Sequence, residues 1–266
     1  MRTFSFGGGV QSTAVLVLQA ENRLPEPYDV FLFANVGDDS EHPATIDYFN
    51  NVHKPYAEKH GIRLIEIKRV KRDGTSPTLL KHLKTQERSI DIPVHIGHGG
   101  PSNRNCTATY KIHVVRKWQR QNGSSRENPA VCGLGISVDE IQRARTESGF
   151  PDQTLEYPLI DLGLRRSDCV TIHNEAGLPT VPRSACWFCP FHNKEGWRRT
   201  KRHNPELFQQ AVELERMLGD RAVELGKDRS YLSRYRKPLD QAIEDQLTLD
   251  GFDDGPDSCD SGSCFT

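Results

Sequence analysis

Thr3-Phe4-Ser5-Phe6-Gly7-Gly8-Gly9-Val10-Gln11-Ser12-Thr13 joins a short apolar strand, three consecutive glycines and the start of a helix. Glycines let backbone N–H groups turn inward with no Cβ in the way, which makes a nest for an anion. The helix amino terminus adds partial positive charge, and the Ser12 and Thr13 hydroxyls add donors. The spacing fits neither the Gly-Lys-[Ser/Thr] ending of a Walker loop nor the G-x-G-x-x-G dinucleotide pattern. A plain strand–helix turn is the competing reading. Three glycines in a row cost backbone entropy that a turn alone does not require, so the stretch is read as an anion cradle.

Working outward, residues 12–21 have helical spacing (Ala14, Val15, Leu18), and residues 28–36 form a nearly continuous apolar run. Such a run suits a strand of a parallel sheet covered on both faces. Residues 42–60 return to helical spacing (Ile46, Phe49, Val52, Tyr56), closed by Gly61, and residues 62–67 read as the next strand. Strand, helix, strand, helix, strand in this order predicts an α/β, Rossmann-like open and mostly parallel sheet with helices on both faces. Further on, a short helix is expected near 78–83, a mobile glycine-rich loop at 95–105 and a basic helix at 109–121. A buried strand is expected at 130–136, helices at 165–176 and 205–225, and no internal repeat. The organisation predicted is a nucleotide-binding domain over 1–180, a cysteine-bearing helical region over 181–249 and an acidic flexible tail over 250–266.

The bulk properties narrow the class. The chain has 266 residues, net charge −1 and 35% hydrophobic residues, enough for one large domain with polar loops. No secretory leader or apolar stretch of membrane-spanning length is evident, so a soluble, cytoplasmic protein is expected, with no membrane partner. Seven cysteines in such a setting suggest reduced thiols or metal ligands rather than disulfides. Basic runs at 68–72, 198–203 and 227–237 read either as solvated faces or as phosphate-contacting surface.

Ser5-Phe6-Gly7-Gly8-Gly9-Val10-Gln11-Ser12 resembles the PP-loop of the adenine nucleotide α-hydrolase superfamily, with Gln11 where most pyrophosphatase members carry Asp. The Ser-Phe-Gly opening and the Gln are similar to the phosphoadenosine phosphosulfate reductase-like branch. So, in order, are Phe33-Ala34-Asn35-Val36-Gly37, then Gly135-Ile136-Ser137-Val138-Asp139-Glu140 with Arg143. Tyr157-Pro158-Leu159-Ile160-Asp161 with Asp168, and Gly177-Leu178-Pro179, follow the same branch. The resemblance covers roughly residues 1–200. It implies ATP or a sulfated adenylate at the carboxyl ends of the strands. Phosphates would lie on residues 7–12 and adenine against the backbone of Phe33, Ala34 and Asn35, near Gly135. Arg143 is the candidate for a charge-assisted phosphate contact. Asp38, Asp39 and Glu41 read as an ordinary acidic helix start or as help for Mg²⁺ carried on ATP.

Cys186-Trp187-Phe188-Cys189-Pro190 places two thiols at a spacing that one turn of backbone can present to a single centre. Cys106 precedes a basic helix, where a positive helix end favours the thiolate. Three cysteines match the ligand count of a [4Fe–4S] cluster with one open iron, similar to clusters in reductases and sulfur-transfer relatives. Zn²⁺ on Cys106, Cys186, Cys189 and His192, or a Cys186–Cys189 dithiol pair, are the other readings. Thr107 follows Cys106 where the reductases carry a second cysteine. Cys132 and Cys169 read as core residues. Cys259 and Cys264, in the acidic tail, are candidate nucleophiles toward sulfur, although their acidic surroundings disfavour a thiolate.

The resemblance thus implies adenylation of an acceptor with pyrophosphate release, then sulfur delivery from a sulfur donor, with nucleic acid a possible acceptor. Reduction of a sulfated adenylate with a thioredoxin-like thiol partner is the first rival, and a nucleotide-sensing binding module the second. A homo-oligomer is compatible with either.

Overall fold

The structure, a computed structural model, describes residues 1–97 and 100–243. Its centre is a five-stranded, all-parallel sheet in the order β3-β2-β1-β5-β6. The strands are β1 (Arg2–Phe6), β2 (Val30–Asn35), β3 (Leu64–Lys68), β5 (Ala130–Leu134) and β6 (Gln153–Glu156). A separate antiparallel pair joins β4 (His95–Ile96) to β7 (Ser230–Tyr231). The fold is α/β and Rossmann-like, with a helical carboxyl-terminal region.

Alternation along β1 and β2 explains why residues 30–34 are apolar throughout. Phe4, Phe6, Phe31 and Phe33 face a core shared with α1 (Val10–Ala20) and residues of the helical segment 43–59. Val30, Leu32 and Ala34 face the opposite side, with Val115, Cys132 and Leu134. Side chains of successive strand residues point to opposite faces, so a strand covered twice must be apolar twice. The segment 43–59 is one rod in three parts: α2 (Pro43–Tyr48), a π-helical stretch (Phe49–His53) and α3 (Lys54–Lys59). On the other face, α5 (Asn105–Thr107) and a π-helical stretch (Ala108–Ile112) lead into α6 (His113–Gln121).

A second core gathers α4 (Leu79–Thr85), α9 (Lys194–His203), α10 (Pro205–Glu224) and α11 (Leu239–Ala242) around Trp187, Phe188, Trp197 and Phe208. Helices α7 (Pro158–Asp161) and α8 (Arg166–Glu175) belong to the first core through Leu159, Cys169 and Ile172, and α8 packs on α1. The segment 95–105 departs from the expected loop, since His95–Ile96 is paired as a strand and Asn105 opens a helical turn. The strand at 153–156 and the helix at 194–203 were not anticipated. Both are short or highly charged, and their apolar content is supplied by neighbours rather than by their own pattern. No helix among the described residues is long and apolar enough to cross a membrane.

Candidate functional site

The sheet order reverses at β1. Its chain leaves through α1 to β2 on one side, while β5 pairs with it on the other, Ser5 opposite Leu134. Crevices outside the carboxyl ends of strands form at such switch points. The glycine turn follows β1 there, and Gly135 follows β5. Gly8 has φ +75°, a left-handed conformation that disfavours any side chain. A Cβ on Gly135 would stand 3.3 Å from the Ser12 amide nitrogen, so the second loop closes on the first. No side chain caps α1 at Gly9, and the first-turn amides of Val10, Gln11 and Ser12 have no intrahelical acceptor.

The expected donors divide. Ser12 and Thr13 both donate their hydroxyls to the Gly9 carbonyl, at 2.9 Å, and so brace the turn from inside. Thr13 is fully buried and stands 2.9 Å from His53 Nε2, on the core side. Ser5 and Phe6 are buried in β1. Gln11 faces the switch point: its Nε2 donates to Glu140 Oε2 at 2.9 Å and to Ser137 Oγ at 3.3 Å. Arg166 Nη1 donates to Gln11 Oε1 at 2.9 Å. Arg143 Nη1 stands 3.0 Å from Glu140 Oε2. Burial pushes the Glu140 carboxyl upward against the pull of Arg143 and Arg166. Gln11, an uncharged amide with both a donor and an acceptor, is the residue that joins this carboxylate to this guanidinium.

Phe33, Ala34 and Asn35 are all buried at the end of β2. Phe33 stacks on Phe49 with centroids 4.1 Å apart. Asn35 donates to Asp38 at 2.6 Å and Glu66 at 2.8 Å, while its carbonyl receives the Gly37 amide. Asp39 accepts from Thr78 and Ser40. Asp38 and Asp39 thus fasten the loop that ends β2. Glu41 differs: it is 1% exposed, neither carboxylate oxygen has a hydrogen-bond partner, and Lys111 Nζ stands 3.8 Å away.

The segment 183–187 crosses beside this loop. Thr45 donates to the Arg183 carbonyl, the His42 amide to Ala185, and Trp187 Nε1 to the Asp39 carbonyl at 2.7 Å. Ser184 donates to the Gly7 carbonyl. Between this segment, α8 and α9 opens a cleft of about 530 Å³, reaching Val10 at the start of α1. Arg166, Arg183, Arg199, His42, His192 and His203 line it, with no carboxylate among the described residues of its wall. Burial lowers the His42 pKa, and burial holds His192 down at about 4, so both rings are neutral donors or acceptors at neutral pH. Arg166, Arg183 and His42 were not among the residues expected. They lie in three separate stretches of the sequence, and only the crossing of distant segments places them together.

Cys106, Cys186 and Cys189 converge on one small cavity of about 30 Å³, walled by Val36, Leu79, Phe188 and Phe191 and flanked by Arg104 and Lys111. An antiparallel bridge between Glu41 and Cys186 fixes one side, and the Cys106 amide bonded to the Asp91 carbonyl fixes the other. His192 lines the basic cleft instead, with Nε2 on the Cys186 carbonyl at 3.0 Å. Among the described residues, no group of three or more His, Cys, Asp or Glu side chains stands ready to hold a metal ion. As soft sulfur donors the three cysteines suit a metal centre. Cys132 and Cys169 are core thiols that burial pushes up to about 12. Cys259 and Cys264 lie outside the described residues.

No protein-family model, curated protein or solved structure matches the chain.

Proposed function

We propose that this protein is an adenine-nucleotide enzyme of the PP-loop type, which adenylates an acceptor, releases pyrophosphate and uses its cysteine cavity in sulfur delivery. The observation that carries the reading is the continuity between the uncapped glycine turn at the switch point and a cleft lined by three arginines and three histidines. Three arginines and a helix amino terminus around one cleft are matched by a polyphosphate and by few other metabolites. In the reaction, an acceptor atom forms a bond to the α-phosphorus as the bond to the bridging oxygen breaks. Negative charge then grows on the departing pyrophosphate. The amides of residues 10–12 and the Arg166 guanidinium are placed to receive it. Arg166 donates to Gln11 Oε1, which ties the cation to the loop.

Cys106, Cys186 and Cys189 would hold an iron–sulfur group, which when bound supplies an open iron to carry a sulfur ligand. The chain's own part there is to keep the thiols beside Arg104 and Lys111 and to exclude water with Phe188 and Phe191.

The experiment is pyrophosphate release from ATP by anaerobically purified protein, with Gly8→Asp and Cys186→Ala alongside. Release abolished in Gly8→Asp supports the loop assignment. Sulfite released from a sulfated adenylate, with no pyrophosphate from ATP, replaces adenylation with reduction. No uptake of any adenine nucleotide removes the reading.

A further inference from the structure

Helix α9 carries Lys194, Arg198, Arg199, Lys201, Arg202 and His203 against a single carboxylate, Glu195. At about 100° of rotation per residue, Arg199 and His203 fall on the side that lines the cleft. Arg202 is exposed on the outer side. Lys194, at the helix start, lies over the Tyr235 ring, 5.6 Å from its centroid. That contact brings a distant turn alongside α9: Arg234, Tyr235, Arg236 and Lys237, all four exposed. Tyr235 is 38% exposed and set among cations. Whole-chain neutrality hides this surface: all 35 lysines and arginines lie within residues 1–243, whereas seven of the 36 carboxylates lie beyond.

We propose that this surface is the track of a single-stranded nucleic acid, and that the strand is the acceptor delivered to the cleft. The inference rests on the adenylation reading for its purpose, but strand binding is measured without turnover. A polynucleotide supplies both things the surface asks for, a row of phosphates opposite a row of cations and bases to stack on an exposed ring. An acidic peptide matches the cations and leaves the aromatic unused. A duplex matches the cations but keeps its bases stacked on one another and presents none to Tyr235.

The test is fluorescence anisotropy of labelled oligothymidylate and oligouridylate with the full-length, anaerobically purified chain, over a range of salt. A labelled duplex and unlabelled polyglutamate serve as competitors. Binding of at least one strand is expected, with affinity falling as salt rises. Arg202→Ala combined with Lys237→Ala should weaken it about tenfold at low salt and flatten the log–log salt slope by about 0.7 for each phosphate contact removed. Tyr235→Ala should weaken it about tenfold with the slope unchanged, and Tyr235→Phe, which keeps the ring, should restore it. The inference is overturned if neither strand binds at low salt. It is equally overturned if polyglutamate or duplex displaces the strand as well as unlabelled strand does, or if Tyr235→Ala binds like the parent. Calorimetry with ATP on the same samples separates the two readings. Nucleotide uptake without strand binding defeats this inference alone, whereas strand binding without nucleotide uptake leaves the track and removes the reaction.

Discussion

Gly8 and Gly61 make a controlled pair. Both have positive φ, +75° and +66°, and neither would press a Cβ closer than 3.5 Å to a neighbour. Alanine at either therefore pays the left-handed backbone cost, about 1–2 kcal/mol, without a clash. Urea melts of Gly8→Ala and Gly61→Ala should show similar destabilisation. Only Gly8→Ala should lose nucleotide uptake, about tenfold or more by calorimetry, because only its turn aims amides at the switch point. His53 gives the pH dependence at this scale. Buried against Thr13, Phe6 and Tyr48, it is held neutral by desolvation, its pKa down at about 3. The unfolded chain takes the proton near 6.5, the folded chain near 3. Its contribution is therefore complete above 6.5 and lost as pH falls through that window, by up to roughly 1.4 kcal/mol per unit. His53→Gln should flatten the fall in unfolding free energy between pH 6 and 4. The glycine turn was legible at the level of single residues because backbone conformation is local. His53 was not, because its burial comes largely from Phe6 and Thr13, which lie some 40 residues or more away in the chain.

At the level of elements, α10 is joined to the end of the described chain by apolar packing and by one polar side chain. Glu215, 5% exposed, accepts the backbone amides of Leu232 at 2.7 Å and Leu239 at 2.6 Å. Burial raises its pKa to about 7, although those amides favour the charged form. Glu215→Ala leaves two buried N–H groups without an acceptor, an expected cost of about 2–4 kcal/mol. Hydrogen exchange should then find residues 230–243 opening before the central sheet. Strongly periodic elements such as α1 and α10, and doubly covered strands such as β2, were readable from pattern alone. Helix α9 was not, since its only large apolar residue is Trp197 and the rest of its sequence reads as a charge run. Strand β6 has four residues and gains its place from pairing with β5 rather than from its own composition.

Across the whole molecule, the 183–187 crossing ties the two cores together. Trp187 belongs to the second core, yet its indole N–H is spent on the Asp39 carbonyl at the end of β2. Trp187→Phe keeps the ring packed and orphans that carbonyl. It should cost about 1–3 kcal/mol in urea melts, and Cys186 and Cys189 should react faster with an alkylating reagent. The same crossing decided the site. Local sequence determined the strand–turn–helix at the amino end, the parallel α/β class and the Cys-x-x-Cys spacing, because each depends on the conformational preferences of neighbours in the chain. It did not determine that Arg166, Arg183, Arg199 and His42 would wall one cleft, or that Cys106 would meet Cys186 and Cys189. Those meetings depend on which distant segments hydrogen-bond across the carboxyl edge of the sheet, and no periodicity or spacing within a single stretch encodes them.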